Sequence, residues 1–284
     1  MIIIFISLKM TFKLLKNRTH LIAEIGWNFL GNLALAKKMI VLAKKNGADA
    51  VKFQIWDPKN LKKGPWDNDG RRKIYEKAYL SKEKYTQLYK FSKKQNLKCF
   101  ASVFSEEDIN TLASVSNQIV KIPSPEAYNI KLIEKSLKIF KQVIISVGCL
   151  KFNELKKLLK YKKNKKLVVL HCVSSYPLKP EKCNFEKYFY LKKHFSKVGY
   201  SGHLEGIEDA NFAIANGAFL IEKHFTSNNL LPGRDNKFAL TPKDFKKMSI
   251  IRDLYKKFFI FNGMGLQKSE VEVFRKYRGR WIKK

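Results

Sequence analysis

Apolar and polar residues alternate with two different periods along most of the chain. Short apolar runs rich in β-branched residues, such as "AVKFQIW" (50–56) and "LVVLHCVS" (167–174), are typical of buried strands. Between such runs lie longer segments with apolar residues at helical spacing, such as "NLALAKKMIVLAKKNG" (32–47). The pattern predicts strands over residues 20–26, 50–56, 98–104, 118–124, 142–148, 167–174, 197–203 and 218–225.

Several helix ends are marked by capping residues. Gly47 follows the last helical residue of the 32–47 segment, where a left-handed backbone is common. Ser81 opens the segment 81–96, and Thr241 followed by Pro242 is a typical start for the segment 241–258. These signals place helices between the predicted strands.

The alternation of strand and helix predicts an α/β protein with a (β/α)8 TIM barrel, because parallel strands need helical crossovers. The alternative is a doubly wound open sheet, but no G-x-G-x-x-G motif follows a strand. We predict one barrel domain over 20–262, an N-terminal extension over 1–19 and a C-terminal tail over 263–284. The long polar connection at 57–80 is interpreted as a flap over an active site.

The charge balance leaves two interpretations open. The chain has 57 Lys and Arg against 24 Asp and Glu, which gives a net charge of +33. The lysines are spread over helical segments rather than gathered in an arginine-rich block, so we favour a solvated surface over nucleic acid binding. The alternative is a non-catalytic basic barrel that binds a polyanion. Four cysteines without a C-x-x-C pair, and no apolar segment long enough for a bilayer, predict a cytoplasmic protein that does not enter a membrane.

Two histidines follow matching apolar runs, "GYSGH" and "IEKHF". In a TIM barrel the C-terminal strand ends carry the chemistry, and His203 and His224 end adjacent strands. Their imidazoles can therefore meet at the barrel mouth beside Glu24 and hold a divalent metal ion with open positions. A site with two protein ligands plus water is better suited to Mn²⁺, Mg²⁺ or Co²⁺ than to structural zinc, whose sites are closed by protein ligands. Among the three ions we favour Mn²⁺. The alternative is that each histidine is an ordinary core residue whose ring is hydrogen-bonded.

A second set of strand-end residues combines two cations with hydroxyl groups. Such donors suit a ligand that carries a phosphate and a carboxylate, whereas the alternative is solvated lysines and ordinary strand-end serines. The set comprises Lys52, Lys121, Ser102, Ser124, Ser146, Ser174 and Ser201.

Eight short motifs follow one another between residues 20 and 245: "AEIGWNFLG", "ADAVKFQ", "KIPSPE", "ISVG", "HCVSSYP", "GYSGHLEGIE", "IEKHFT" and "PGRDNK". In this order they resemble the N-acetylneuraminate (sialic acid) synthase family. The resemblance implies condensation of phosphoenolpyruvate with an N-acetylated amino sugar, such as N-acetylmannosamine, to a nine-carbon 2-keto acid and phosphate. Another metal-dependent aldol-type condensation on the same barrel is the alternative enzyme.

The resemblance also implies residue roles. Metal ligation carries over to His203 and His224, and phosphoenolpyruvate contacts to the two lysines and five serines above. Glu126 becomes the candidate base, Glu24 holds metal-bound water or sugar hydroxyls, and the sugar contacts fall on Gln54, Tyr176 and Asp235.

The chain departs from the family pattern at three motifs. "NHNG" is replaced by "NFLG", "GYSDH" by "GYSGH" and "PGPDH" by "PGRDN". Most family members continue into an antifreeze-like domain that completes the neighbouring subunit's sugar site, and this chain stops at "KYRGRWIKK". The implied partners are therefore a second copy in a homodimer, or a separate protein that carries the antifreeze-like domain.

Overall fold

The computed structural model describes residues 18–281. Eight parallel strands close into a barrel in the order β1 to β8, and β1 pairs with β8. This confirms the predicted (β/α)8 TIM barrel. The strands are β1 His20–Gly26, β2 Ala50–Ile55, β3 Lys98–Val103, β4 Ile119–Ile122, β5 Gln142–Ser146, β6 Leu167–His171, β7 Val198–Gly202 and β8 Leu220–His224.

Helices connect the strands and cover the outside of the barrel. Asn32, Ser81 and Thr241 each accept a hydrogen bond from a backbone N–H in the first turn of the helix that follows. Gly47 has φ +92°, as its predicted place after the first helix requires. The helices are α1 Leu33–Lys45, α2 Arg71–Lys77, α3 Lys82–Lys94, α4 Glu106–Val115, α5 Ile130–Ile139, α6 Phe152–Leu158, α7 Phe185–His194, α8 Glu208–Ala215, α9 Arg234–Phe238, α10 Pro242–Phe258 and α11 Val271–Lys276.

The connection at 57–80 is less irregular than its composition suggests. It contains one-turn 3-10 helices at Pro58–Asn60 and Pro65–Asp67, followed by α2. Tyr75 on α2 stacks on Trp27 with ring centroids 4.4 Å apart, and Trp56 contacts both rings. The segment is thus packed against the end of β1.

The predicted N-terminal extension lies outside the described residues except for Arg18 and Thr19. The predicted C-terminal tail includes a 3-10 turn at Lys268–Glu270 and α11. No helix in the described part of the chain is both long and apolar enough to cross a membrane.

Two apolar layers hold the barrel together. One lies between the strands and the surrounding helices, and the other fills the lower part of the barrel interior. Because side chains alternate sides along a strand, the next inward position above each interior apolar residue is two residues further on. Ile22 is followed in this way by Glu24, and Leu220 by Glu222. The period of two therefore places the polar strand-end residues inside the mouth of the barrel.

His171 ends β6 but faces the helices rather than the barrel interior. It is fully buried, its ring lies against Phe185 and Tyr200, and its Nε2 donates to the carbonyl of Cys183 at 2.8 Å. Nδ1 has no hydrogen-bond partner. Burial lowers the pKa of His171 to about 4, because a proton on Nδ1 would create an unpaired buried charge.

We expect His171 to make the protein acid-sensitive. The folded pKa lies below the ordinary value, so the unfolded chain takes up a proton first as the pH falls from about 6.5 to about 4. This group alone should lower the free energy of unfolding by roughly 2 kcal/mol at pH 4.5 compared with pH 7. Urea unfolding of the wild type and of His171→Gln at both pH values measures the difference. An equal loss in both proteins would contradict the assignment.

Candidate active site

A polar cavity opens at the C-terminal end of the barrel strands. It brings together most of the residues that the sequence predicts for the site, and adds Glu222 and Cys172 from neighbouring strand ends. The predicted residues in its wall are Glu24, Lys52, Gln54, Ser102, Lys121, Ser124, Ser146, Tyr176, Ser201, His203 and His224.

Three predicted site residues do not line this cavity. Ser174 lies directly behind the wall and shares a 2.9 Å hydrogen bond with Ser124. Asp235 on α9 is buried, with its Oδ2 3.6 Å from Nδ1 of His224. Glu126 lies on the 3-10 turn Ser124–Glu126, where it is half-buried, and burial followed by the charge of Asp108 raises its pKa.

The two predicted lysines are each paired with a buried glutamate. Nζ of Lys52 lies 2.8 Å from Oε2 of Glu24, donates to Ser102 at 2.8 Å, and lies 3.8 Å from Oε2 of Glu222. Nζ of Lys121 contacts both carboxylate oxygens of Glu222, at 2.8 and 3.0 Å. A buried charge without a partner is costly, so these pairs are what permits two ammonium groups inside the barrel.

The two glutamates differ in protonation. Burial raises the pKa of Glu24 to about 7, although Lys52 acts against this shift. Burial would also raise the pKa of Glu222, but the ammonium groups of Lys121 and Lys52 outweigh it and hold the pKa below its usual range. Glu24 therefore can exchange a proton near neutral pH, whereas Glu222 stays ionised.

Glu222 is the main residue of this cavity that is not among the site residues predicted from the sequence. It is 6% exposed, and its Oε1 also accepts a hydrogen bond from Ser201 at 2.9 Å. Its position two residues before His224 gives it the same inward orientation, which was a signal available in the sequence. What the sequence could not show is that Lys121, 101 residues away, reaches it.

The serine hydroxyls form a compact group beside Gly148. Ser124 accepts a hydrogen bond from the backbone N–H of Cys149 at 2.7 Å, and Oγ of Ser146 is buried without a partner. A Cβ at Gly148 would lie 2.8 Å from Oγ of Ser124 and 2.9 Å from Oγ of Ser174. Only glycine leaves room for these hydroxyls to converge.

The two histidines meet at the mouth as neutral imidazoles. Their ring centroids are 5.7 Å apart, and burial lowers both pKa values to about 3, with the other imidazole adding to the effect at His203 and the ammonium group of Lys52 at His224. Nδ1 of His203 donates to the carbonyl of Val173 at 2.7 Å, which leaves Nε2 with a free lone pair. Nδ1 of His224 is buried without a hydrogen-bond partner, since Asp235 is too distant for one.

This donor set fits a metal ion that takes the rest of its ligands from water or substrate. Neutral imidazoles are the ligating form, and an anchored Nδ1 orients the ring of His203. Within residues 18–281, no group of three or more His, Cys, Asp or Glu side chains could hold a metal ion. The histidine pair is thus an open site at most, unlike a closed structural zinc site.

An aromatic ring and a cation lie beside the histidines. The ring of Tyr176 lies 4.2 Å from that of His203 and 6.2 Å from that of His224, measured between centroids. The guanidinium of Arg234 lies 4.9 Å from the centre of the Tyr176 ring, and its Nε lies 3.5 Å from Asp235. This wall offers both apolar and charged contacts to a ligand.

Comparisons with known proteins show which family the chain belongs to. The model of the NeuB family matches residues 39–257. The chain belongs to the NeuB family. It is 34% identical to the N,N'-diacetyllegionaminic acid synthase of Campylobacter jejuni over 81% of this chain and 74% of that protein. A pseudaminic acid synthase of the same species is 35% identical over 81% and 72%.

A solved structure extends the match to nearly the whole chain. The N-acetylneuraminic acid (sialic acid) synthetase of Leptospira borgpetersenii has a TM-score of 0.83 and 32% identity, covering 95% of this chain and 94% of that one. The resemblance found in the motifs is thereby confirmed. The chain is an enzyme of the sialic acid synthase type, which decides against the non-catalytic barrel.

The fold explains one departure from the family motifs, at Gly202. Lys223 beside it is buried, and its Nζ pairs with Asp209 of α8 at 3.0 and 3.2 Å. A Cβ at Gly202 would lie 2.3 Å from Oδ2 of Asp209 and 3.0 Å from Cδ of Lys223. Asp209 therefore fills the space that a side chain at position 202 would enter, and it pairs with Lys223 there.

The other departures are accommodated in the core. Phe29 is 1% exposed and packs edge-to-face on Phe53, so it takes an apolar place in the fold. Asn236 is buried, contacts the hydroxyl of Thr226, and donates to the carbonyl of Pro232 at 2.8 Å. One altered residue of each motif is thus packed in the core, whereas Arg234 is partly exposed beside Tyr176.

Proposed function

We propose that this enzyme condenses phosphoenolpyruvate with an N-acetylated amino sugar, such as N-acetylmannosamine, to give a nine-carbon 2-keto sugar acid and phosphate. The observation that carries the proposal is one cavity that holds two buried lysines, converging serine hydroxyls and two neutral imidazoles. Lysine ammonium groups and hydroxyl donors suit phosphate and carboxylate groups. Relatives named for synthases of three related sugar acids support the same class of product.

His203 and His224 would hold a divalent metal ion, and we favour Mn²⁺ over Mg²⁺ or Co²⁺. When bound there, the ion supplies Lewis-acid stabilisation of negative charge on an aldehyde oxygen. The residues around the histidines position the acceptor sugar, with Tyr176 and Gln54 in the cavity wall and Asp235 behind it.

Lys52 and Lys121 bind the anionic donor, and the serines orient it. The enol carbon of phosphoenolpyruvate forms the new bond to the aldehyde carbon, whose oxygen takes up a proton, and water adds its oxygen at C2 with loss of one proton. The C2 hydroxyl then loses its proton to phosphate as the C–O bond to phosphate breaks, which leaves the 2-keto group. We assign transfer of the water proton to Glu24, which lines the cavity and has a pKa near neutral, rather than to Glu126, which does not line it. Gln54 donates to Oε1 of Glu24 at 3.0 Å and fixes its orientation.

We place this reaction in the cytoplasm, because all four cysteines are free thiols. A homodimer and a separate antifreeze-like partner stay predictions from the family resemblance.

Phosphate release from phosphoenolpyruvate in the presence of Mn²⁺ tests the proposal. Release should require an N-acetylated hexosamine, and His203→Ala should slow it roughly a hundredfold or more because Lewis-acid stabilisation is worth several kcal/mol. His194→Ala, which changes a histidine on α7 away from the cavity, is the matched control and should be unaffected. Turnover with free pyruvate in place of phosphoenolpyruvate would instead support the aldol-type alternative. Release that needs no sugar would rule the proposal out.

A further inference from the structure

A second charged cavity lies at the opposite end of the barrel, where the strands begin. It has a volume of about 730 Å³, within the range of small-molecule sites. Its wall contains six lysines, four neutral polar residues and no carboxylate. The lysines are Lys93, Lys98, Lys141, Lys165, Lys166 and Lys197.

Four of these lysines lie at strand starts, those of β3, β5, β6 and β7. Lys98 is the first residue of β3, Lys141 directly precedes β5, Lys166 directly precedes β6 and Lys197 directly precedes β7. The closed sheet therefore gathers charges as far apart in the chain as Lys93 and Lys197 into one ring of six lysines. Lysine and arginine make up 57 of 284 residues overall, so six lysines among fourteen wall residues exceed the general bias of the chain.

The charges in this ring are not neutralised within the described chain. None of the six lysines forms an ion pair with a carboxylate of residues 18–281. Lys166 and Lys197 donate only to backbone carbonyls, those of Leu137 and Lys165. An anion bound among the six lysines would be attracted by all of them and would offset their mutual repulsion.

A neighbouring cavity at the same end of the barrel shows the contrast. Its wall includes Arg18 and Arg252, but both are already paired with carboxylates, those of Asp49 and Asp253. Lys192 and Lys256 of the same wall form no ion pair with a described carboxylate, so the basic residues of this cavity are partly paired with acids, whereas those of the lysine-lined cavity have no described acidic partner.

We propose that the lysine-lined cavity binds a small molecule that carries a chain of contiguous phosphates. Several positive charges around a concave pit match several closely spaced negative charges, and the amides of Asn96, Gln118 and Gln142 add neutral hydrogen-bonding groups. Tyr89 in the wall offers a ring to a nucleobase, so a nucleoside triphosphate and an inorganic oligophosphate share the required chemistry.

This site is separate from the proposed catalytic cavity. Lys98 and Ser102 lie at opposite ends of β3, four residues apart, which corresponds to roughly 13 Å along a strand. The strand interior between the two cavities is closed by the apolar layer that contains Phe100 and Ile144. One ligand therefore does not reach both sites.

Binding of sodium tripolyphosphate, measured by titration calorimetry at physiological salt, tests the proposal. The triple variant Lys98→Ala, Lys141→Ala, Lys165→Ala should weaken binding about tenfold or more, since it removes three close charges. The matched control Lys45→Ala, Lys246→Ala, Lys257→Ala loses the same net charge from exposed helix positions and should change binding less than about twofold. A purine and a pyrimidine nucleoside triphosphate then show whether a base adds affinity.

Four outcomes would overturn the proposal. The first is no binding of tripolyphosphate by the wild type at millimolar concentration, and the second is equal weakening by the control triple. The third is displacement of tripolyphosphate by saturating phosphoenolpyruvate, which would place the anion in the catalytic cavity. If duplex DNA bound more tightly than tripolyphosphate through the same three lysines, the ligand would be a nucleic acid rather than a small molecule. Single variants Lys98→Gln and Lys141→Gln, each expected to weaken binding about threefold, provide the same test if the triple variant does not fold.

Discussion

Lys121→Met is expected to abolish turnover and to lower the free energy of unfolding by about 3–5 kcal/mol. The change leaves the carboxylate of Glu222 buried with only Lys52, at 3.8 Å, and the hydroxyl of Ser201 as partners. It also removes an ammonium group from the proposed phosphoenolpyruvate site. Urea unfolding and phosphate release measure the two effects separately.

A second substitution separates stability from catalysis. Lys121→Met combined with Glu222→Gln removes both charges, and the amide oxygen introduced at position 222 could still accept from Ser201, so most of the lost stability should return. Activity should stay absent because the ammonium group is still missing. Lys138→Met, an exposed lysine on α5, is the control for loss of one positive charge. Full activity in Lys121→Met would exclude a role of this lysine in binding the donor, and a double variant as unstable as the single would exclude the charge explanation.

Gly202→Asp, which restores the usual family residue, is expected to destabilise this protein by about 3 kcal/mol or more. The new Cβ would lie 2.3 Å from Oδ2 of Asp209, so two carboxylates would compete for the same space and for one ammonium group. Adding Asp209→Ala should recover at least half of that loss, because the carboxylate introduced at position 202 would then lie against Lys223 in place of Asp209. Thermal and urea unfolding of the single and double variants give the coupling energy.

Two further variants control this pair. Asp209→Ala alone should also be destabilising, by about 3–5 kcal/mol, because it leaves Lys223 buried without a charged partner. Gly202→Ala introduces the steric conflict without the second charge, and the difference from Gly202→Asp measures the electrostatic part. If the effects of Gly202→Asp and Asp209→Ala simply add, the two positions do not substitute for each other.

Much of the candidate site was predictable because strand alternation links position in the chain to direction in the barrel. Lys52, Lys121, His203 and His224 follow apolar runs at the right parity to face inward, and the structure places them in one cavity. His171 ends its strand at the other parity and faces the helices, where it is a core residue. Parity at the strand end therefore separates site residues from core residues.

Some features of the molecule could not be predicted without the closed sheet. The pairs Lys121 with Glu222 and Lys223 with Asp209 join residues on different elements, and no periodicity indicates which lysine meets which acid. The same is true of the lysine ring, whose members lie at separate strand starts and look like ordinary surface charge in the sequence. Glu126 was predicted to be the base from a motif, yet its place on a 3-10 turn keeps it out of the cavity wall.

By itself the sequence determined the barrel, the inward direction of the strand-end residues and the family, because these depend on local period and motif order. The tertiary structure alone decided which charges neutralise each other, which group has a pKa near neutral and which lysines remain without an acidic partner. The physical reason is that electrostatic energy depends on distance and burial, and barrel closure sets both between residues that the chain keeps far apart.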